Sequence, residues 1–194
     1  MESIRRGMLV DMKQQIIDEC ITLFNEKGCQ FTIEDIVQSL RVSRKTIYKY
    51  FLSKEDIFKA IIDEAYDDIH FKQNLIFNDN VLSIKEKIYA VCTVETKYDS
   101  RIQLKKIYES EQLLPEVYRY FMKKYEVGWE IVEELLKQGI QDKVFVEVNV
   151  ALVIQLLING MKMLCQGNFQ EENLITYQQG LNQTVRIIIK GISK

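Results

Sequence analysis

The sequence predicts an all-α protein, and three observations carry that expectation. Its 194 residues contain a single proline, Pro115, where a typical share of about 5% would supply several. Proline ends helices and blunts strand edges, so its scarcity favours long uninterrupted helices. Apolar residues recur three and four positions apart, the rhythm of a helix face. Three helix N-caps, Thr32, Ser43 and Ser53, then punctuate one short segment near the start of the chain.

Each element follows from these signals. Over residues 8–27, Met12, Ile16, Cys20, Leu23 and Phe24 share one helix face, and Gly28 supplies the stop. Thr32 is followed by Asp35 and Ser53 by Asp56, two capping-box-like pairs with an acid at the third helical position, while Ser43 is a good N-cap by itself. The caps delimit a helix at 33–40, a turn at Arg41 and Val42, a second short helix at 44–51 and the start of a longer one at Lys54. The inner faces of the short helices are apolar: Ile36 and Leu40, Val42 in the turn, then Ile47 and Phe51. Two short helices so joined form a helix-turn-helix. Further helices are expected near 54–72, 82–98, 101–112, 116–138, 148–165 and 171–191, with Pro115 suited to the first turn of the 116–138 helix. A helix-turn-helix domain over 1–53 and a helical domain over 54–194 are expected, with helix 54–72 connecting them.

Composition excludes whole chemistries. Apolar residues make up 47% and charged residues 28%, as in ordinary globular proteins, which argues against disorder. His70 is the only histidine, so neither a two-histidine zinc site nor an HExxH protease is possible. With no glycine-rich phosphate loop and no glycine-bracketed nucleophile, no catalytic residue, metal or cofactor is expected. The four cysteines, Cys20, Cys29, Cys92 and Cys165, form no CxxC pair and follow no secretory leader, the pattern of reduced, buried thiols in a cytoplasmic protein. The most apolar stretch, 148–158, is interrupted by Asn149 and Gln155 and is too short for a membrane span.

The net charge of −2 hides an uneven distribution. Arg41, Arg44, Lys45, Lys49 and Lys54 lie within 41–54, where no Asp or Glu occurs, whereas acids outnumber bases from residue 55 onward. A cationic island on an acidic chain is expected where one surface meets phosphate. At roughly 100° per residue, Ile47 and Phe51 lie about 40° apart and face the core. Lys45 and Lys49 then point outward, flanked by Thr46 and Tyr48, with Arg44 and Tyr50 at the shoulders. Such a surface offers cations and a phenol to phosphates and a threonine to base edges.

The run at 31–58, FTIEDIVQSLRVSRKTIYKYFLSKEDIF, resembles the DNA-binding segment of the TetR family of bacterial transcriptional regulators. The residues that match its pattern are Thr32, Ile36, Val42, Ser43, Thr46, Tyr48, Tyr50, Phe51, Ser53, Lys54 and Glu55; the preceding helix, with Phe24 and Gly28, also fits. Two positions depart from it: Arg41 stands where glycine is common, and Val37 where alanine is common. Because a non-glycine residue in a left-handed turn costs on the order of 1 kcal/mol, Arg41 is expected to sit in an altered turn. The resemblance implies that Thr32, Ser43, Tyr48, Tyr50 and Lys54 hold phosphates and that Arg44, Lys45 and Thr46 lie nearest base edges; Lys49, outward on the wheel, would contact the backbone.

The resemblance further implies a dimeric repressor of a palindromic double-stranded operator, released by a small-molecule effector that binds the C-terminal helices. On the 148–165 helix, polar residues occupy about 60° of the wheel, so its wide apolar surface must be covered on more than one side. A homodimer through helices 148–165 and 171–191 is expected. Tyr89, Cys92, Tyr108, Phe121, Tyr125 and Trp129 are the candidate lining of an effector pocket, with ordinary core packing as the alternative for each. Rival readings are an activator, a ligand-independent regulator of the same fold, or a helical dimeric adaptor without a DNA target.

Overall fold

The computed structural model describes residues 2–99, 101–102, 106–107, 110–165 and 175–194, with side chains from Met12 onward. The described chain is helical, and among these residues there is no strand, only an isolated antiparallel bridge between Phe145 and Ser193. The elements are α1 (Glu2–Lys27), a single 3-10 turn (Gly28–Gln30), α2 (Ile33–Leu40), α3 (Arg44–Tyr48), α4 (Lys54–Phe77), α5 (Ile84–Cys92), α6 (Pro115–Glu126), α7 (Glu130–Gln141), α8 (Val150–Cys165) and α9 (Tyr177–Ile192).

Packing groups them into two compact units, residues 1–65 with 97–121, and residues 66–96 with 122–194. In the first, α1 buries Ile16, Ile17, Cys20, Ile21, Leu23 and Phe24, a wider stripe than the five positions read from the sequence. α2 contributes Ile36, α3 contributes Ile47, and Phe51, Ile57, Phe58 and Ile61 follow; Tyr98, Leu114 and Val117 complete the same core. Tyr98 is anchored by its hydroxyl, which donates to Glu64 Oε2 at 2.6 Å. Burial by itself would raise the Glu64 pKa, but hydrogen bonds from Tyr98 and Lys97 more than offset it and hold the carboxyl below its ordinary value.

The second unit is built around Ile88, Val91, Leu135, Leu136, Phe145, Leu157 and Val185. α8 and α9 pack closely because glycines face large side chains: a Cβ on Gly180 would lie 2.4 Å from Leu164 Cδ2, and one on Gly160 2.7 Å from Thr184 Cγ2. The chain's last residues return to the 144–146 segment, Val146 N donating to Ile192 O at 2.8 Å and Lys194 N to Val144 O at 3.1 Å.

Several boundaries differ from expectation. The helix expected over 116–138 is two helices, broken at Val127 and Gly128. Gly128 has φ +86° and sits against the His70 ring, where a Cβ would lie 2.6 Å from Cε1; only glycine meets both demands at low cost. The 82–98 helix ends at Cys92, where the Thr93 hydroxyl donates back to the Tyr89 carbonyl at 2.8 Å and the β-branched Thr93 and Val94 disfavour continuation. α4 runs on to Phe77, past the expected end at 72. Pro115 is the first residue of α6, as its fixed φ suits. Residues 103–105 and 108–109 of the expected 101–112 helix and residues 171–174 of the expected 171–191 helix lie outside the described residues; α9 begins at Tyr177, capped by Thr176 in a capping box with Gln179.

Candidate nucleic-acid interface

The geometry of the cationic island follows from its caps. Thr32 Oγ1 accepts from Asp35 N, and the Asp35 carboxylate accepts from Thr32 N at 2.6 Å, a complete capping box. The same carboxylate takes a 2.6 Å ion pair from Lys27. The Lys27 ammonium first, then the Thr32 hydroxyl and amide, hold the Asp35 carboxyl well below the usual carboxylate range. Ser43 Oγ accepts from Thr46 N at 3.1 Å and shares a hydrogen bond with Thr46 Oγ1 at 2.9 Å. Ser53 Oγ accepts from Asp56 N at 3.1 Å, without the reciprocal bond of a full box.

Between the first two caps the chain turns through Arg41, at φ 53° and ψ 40°. The turn is therefore not altered to suit a side chain; Arg41 adopts the left-handed conformation itself. Its amide donates to the Gln38 and Val37 carbonyls, closing α2, and its side chain is exposed.

α3 is shorter than the expected 44–51, ending at Tyr48, but Tyr50 N and Phe51 N both donate to Ile47 O, so the chain curls on through the same inner face. Ile47 is fully buried and Phe51 is 5% exposed. With those two facing inward, Ser43, Arg44, Lys45, Tyr48 and Lys49 are exposed, Thr46 is half-buried, and Thr32 is exposed at the start of α2. The two tyrosines separate: Tyr48 is 46% exposed, whereas Tyr50 packs against the first core.

Two cations carry partners that the sequence did not reveal. Arg44 Nε donates to Glu34 Oε2 at 2.7 Å, an exposed pair that fixes the guanidinium's direction; five N–H donors leave Arg44 others to offer. Lys54 Nζ donates to the Cys29 and Phe31 carbonyls at 2.8 and 2.9 Å and lies 4.9 Å from the centre of the Phe31 ring. An ammonium has three donors, so Lys54 ties the corner before α2 to the start of α4 and retains one. Local pattern foretold neither pairing, since i to i+10 and i to i+25 contacts have no periodic signature.

The segment that builds this surface matches a family model. Residues 16–61, from the middle of α1 into α4, match the model described as bacterial regulatory proteins, tetR family. Over this segment the chain carries the DNA-binding pattern of TetR-family transcriptional regulators. It is a DNA-binding transcriptional regulator. It is 20% identical over 182 residues to the uncharacterized HTH-type transcriptional regulator YvaF of Bacillus subtilis (strain 168), covering 94% of this chain and 96% of that one. It is 35% identical over 57 residues to the biofilm operon icaADBC negative transcriptional regulator IcaR of Staphylococcus epidermidis, covering 29% of this chain and 31% of IcaR. Among solved structures, the fatty acid degradation regulator FadR of Bacillus halodurans has the same fold: TM-score 0.73 at 19% identity, with 93% and 95% of the two chains covered.

The candidate effector-pocket residues are distributed over both compact units. Phe121 is buried in the first unit and borders an apolar cavity there. Cys92 is buried, and Tyr125 and Trp129 are half-buried, in the second unit's core, with Trp129 Nε1 donating to Tyr125 O at 3.2 Å. Tyr89 is 37% exposed, and Tyr108 lies outside the described residues. Burial pushes the Cys92 thiol up to about 12, leaving it protonated and a poor nucleophile at neutral pH. Among the described residues no group of three or more His, Cys, Asp or Glu gathers as metal ligands, and no helix is long and apolar enough to cross a membrane.

Proposed function

We propose that the chain is a cytoplasmic dimeric repressor, not an enzyme, that binds a palindromic operator and is released from it by a small-molecule effector. Residues 1–53 form the DNA-binding domain and 54–194 the effector and dimerisation domain, joined through α4. One observation carries this reading: α3 turns Ile47 into the core and leaves Arg44, Lys45, Tyr48 and Lys49 exposed on a segment without acids. Thr32, Ser43, Tyr48, Tyr50 and Lys54 hold phosphates, Tyr50 through its hydroxyl while its ring packs. Arg44, Lys45 and Thr46 approach base edges, and Lys49 the backbone. The repressor sense draws on the negative regulator IcaR, whose similarity covers the DNA-binding segment.

Dimerisation is supported by an uncovered apolar face. Leu152 is 59% exposed, Leu156 52% and Met163 42% on α8, and Ile187 is 70% exposed on α9. Two copies meeting there by a two-fold axis form a four-helix interface and pair two recognition helices for a palindrome. The effector acts by binding better to the arrangement in which those helices no longer match successive major grooves.

DNA-binding assays over a salt series test the contacts. Tyr48→Phe and Lys54→Ala are expected to weaken binding similarly on all sequences, with the Lys54 change lowering the salt slope by about 1. Lys45→Ala is expected to change base preference. Unchanged affinity in all three variants contradicts the assignment.

A further inference from the structure

The run of residues 41–54 contains no acid, but folding brings one to it. Of the two acids in the first turn of α2, Asp35 is taken by the capping box and by Lys27. Glu34 takes no part in the cap; its carboxylate reaches across to α3 and accepts from Arg44 Nε at 2.7 Å. Arg41, Lys45 and Lys49, the other exposed cations of the island, make no ion pair among the described residues. Arg44 is therefore singled out. Folding does not explain the pair, because its side chains are 64% and 43% exposed and ion pairs in contact with water and salt contribute little to stability.

The contact divides the guanidinium. Of its five N–H donors one is on Nε and the others are on the two Nη atoms. With Nε held by the carboxylate, the Nη donors remain, and a pair of parallel donors is what guanine O6 and N7 accept in the major groove. The carboxylate also offsets the attraction of Arg44 for phosphate, which every DNA sequence presents alike. We propose that Glu34 is a specificity-determining residue that acts through Arg44: it holds the guanidinium for a guanine edge and withholds it from the phosphate backbone. Affinity for random DNA is exchanged for discrimination. Glu34 is a positioning residue in this account and need not touch DNA. The proposal rests on the reading of α3 as the base-reading helix and adds to it one required base in each half-site.

The full chain, Glu34→Gln, Arg44→Ala and the double variant are compared on three duplexes over a salt series: the sequence enriched by the parent from a random pool, that sequence with its half-site guanine replaced by adenine, and a random duplex. Glutamine keeps the length of Glu34 and an accepting oxygen but not the charge. The parent is expected to require a guanine in each half-site that Arg44→Ala does not. Glu34→Gln is expected to bind the random duplex roughly threefold to tenfold more tightly, with a salt slope steeper by about 0.9 per chain. Its preference for guanine over adenine should fall by roughly threefold or more. In the Arg44→Ala background the same substitution should change neither the guanine preference nor the slope. Glu26→Gln, the same charge change at an exposed position of α1, should reproduce neither effect. A destabilised α2 would lower affinity on every duplex, so a gain on random DNA cannot come from it. Glu34→Gln with the parent's guanine preference or salt slope, effects that persist without Arg44 or are matched by Glu26→Gln, or a guanine preference that survives Arg44→Ala overturns the proposal, while the parent's sequence selectivity keeps the reading on which it rests. A parent that enriches no sequence overturns that reading and the proposal with it.

Discussion

Arg41 shows how a single residue trades stability against charge. At φ 53° it occupies a conformation that costs a side-chain-bearing residue about 1–2 kcal/mol. Glycine would remove that strain but loses more chain entropy on folding, about 0.5–1 kcal/mol. Arg41→Gly is therefore expected to stabilise the protein by about 0.5 kcal/mol, read as a higher urea midpoint, while removing an exposed cation from the island. Asp35 carries a second prediction. Its folded pKa is depressed by Lys27 and Thr32, so its contribution to stability is complete above the unfolded carboxylate value of about 3.9 and is lost as pH falls toward the folded value. In acid titrations followed by circular dichroism, Asp35→Asn should lose less stability than the parent below about pH 4. An identical acid profile would show that the capping carboxylate does not titrate with folding.

At the scale of the element, what was legible depended on whether the signal was local. Caps are local chemistry, and Thr32, Ser43 and Ser53 each start a helix in the structure. The break at Gly128 was not legible, because a lone glycine in a helical pattern costs only about 1 kcal/mol and often persists inside a helix. The His70 ring against which Gly128 sits is a contact between residues far apart in sequence. Gly139 is a parallel case inside α7: an added Cβ would lie 2.3 Å from the Phe145 ring, which is 1% exposed. Gly139→Ala should overpack this site and cost about 1–3 kcal/mol despite alanine's better helix propensity. A stability gain on thermal unfolding would mean that the ring yields without strain. Which core each candidate pocket residue joins was not legible for a related reason. Aromatic content marks burial, but which core receives each ring is set by packing, and Phe121 went to one unit while Tyr125 and Trp129 went to the other.

For the whole molecule, the all-α class and the helix-turn-helix were readable because proline scarcity, apolar periodicity and the caps agree with one another. The grouping of residues 97–121 with the N-terminal core was not, since it depends on contacts such as Tyr98 with Glu64 and Arg101 with Asp18 that join distant segments. Leu156→Glu places a charge on the exposed face of α8, which should yield a monomer by light scattering and a large loss of operator affinity; a dimer with full affinity would place the interface elsewhere.

Selection of bound DNA from a random pool by the parent chain and by Lys45→Ala tests operator recognition by α3. An inverted repeat is expected, its half-site centres about 34–36 Å apart or a multiple of that, with an altered base within each half-site for the variant. Recovery of no enriched sequence, or of the same sequence by both proteins, would contradict it.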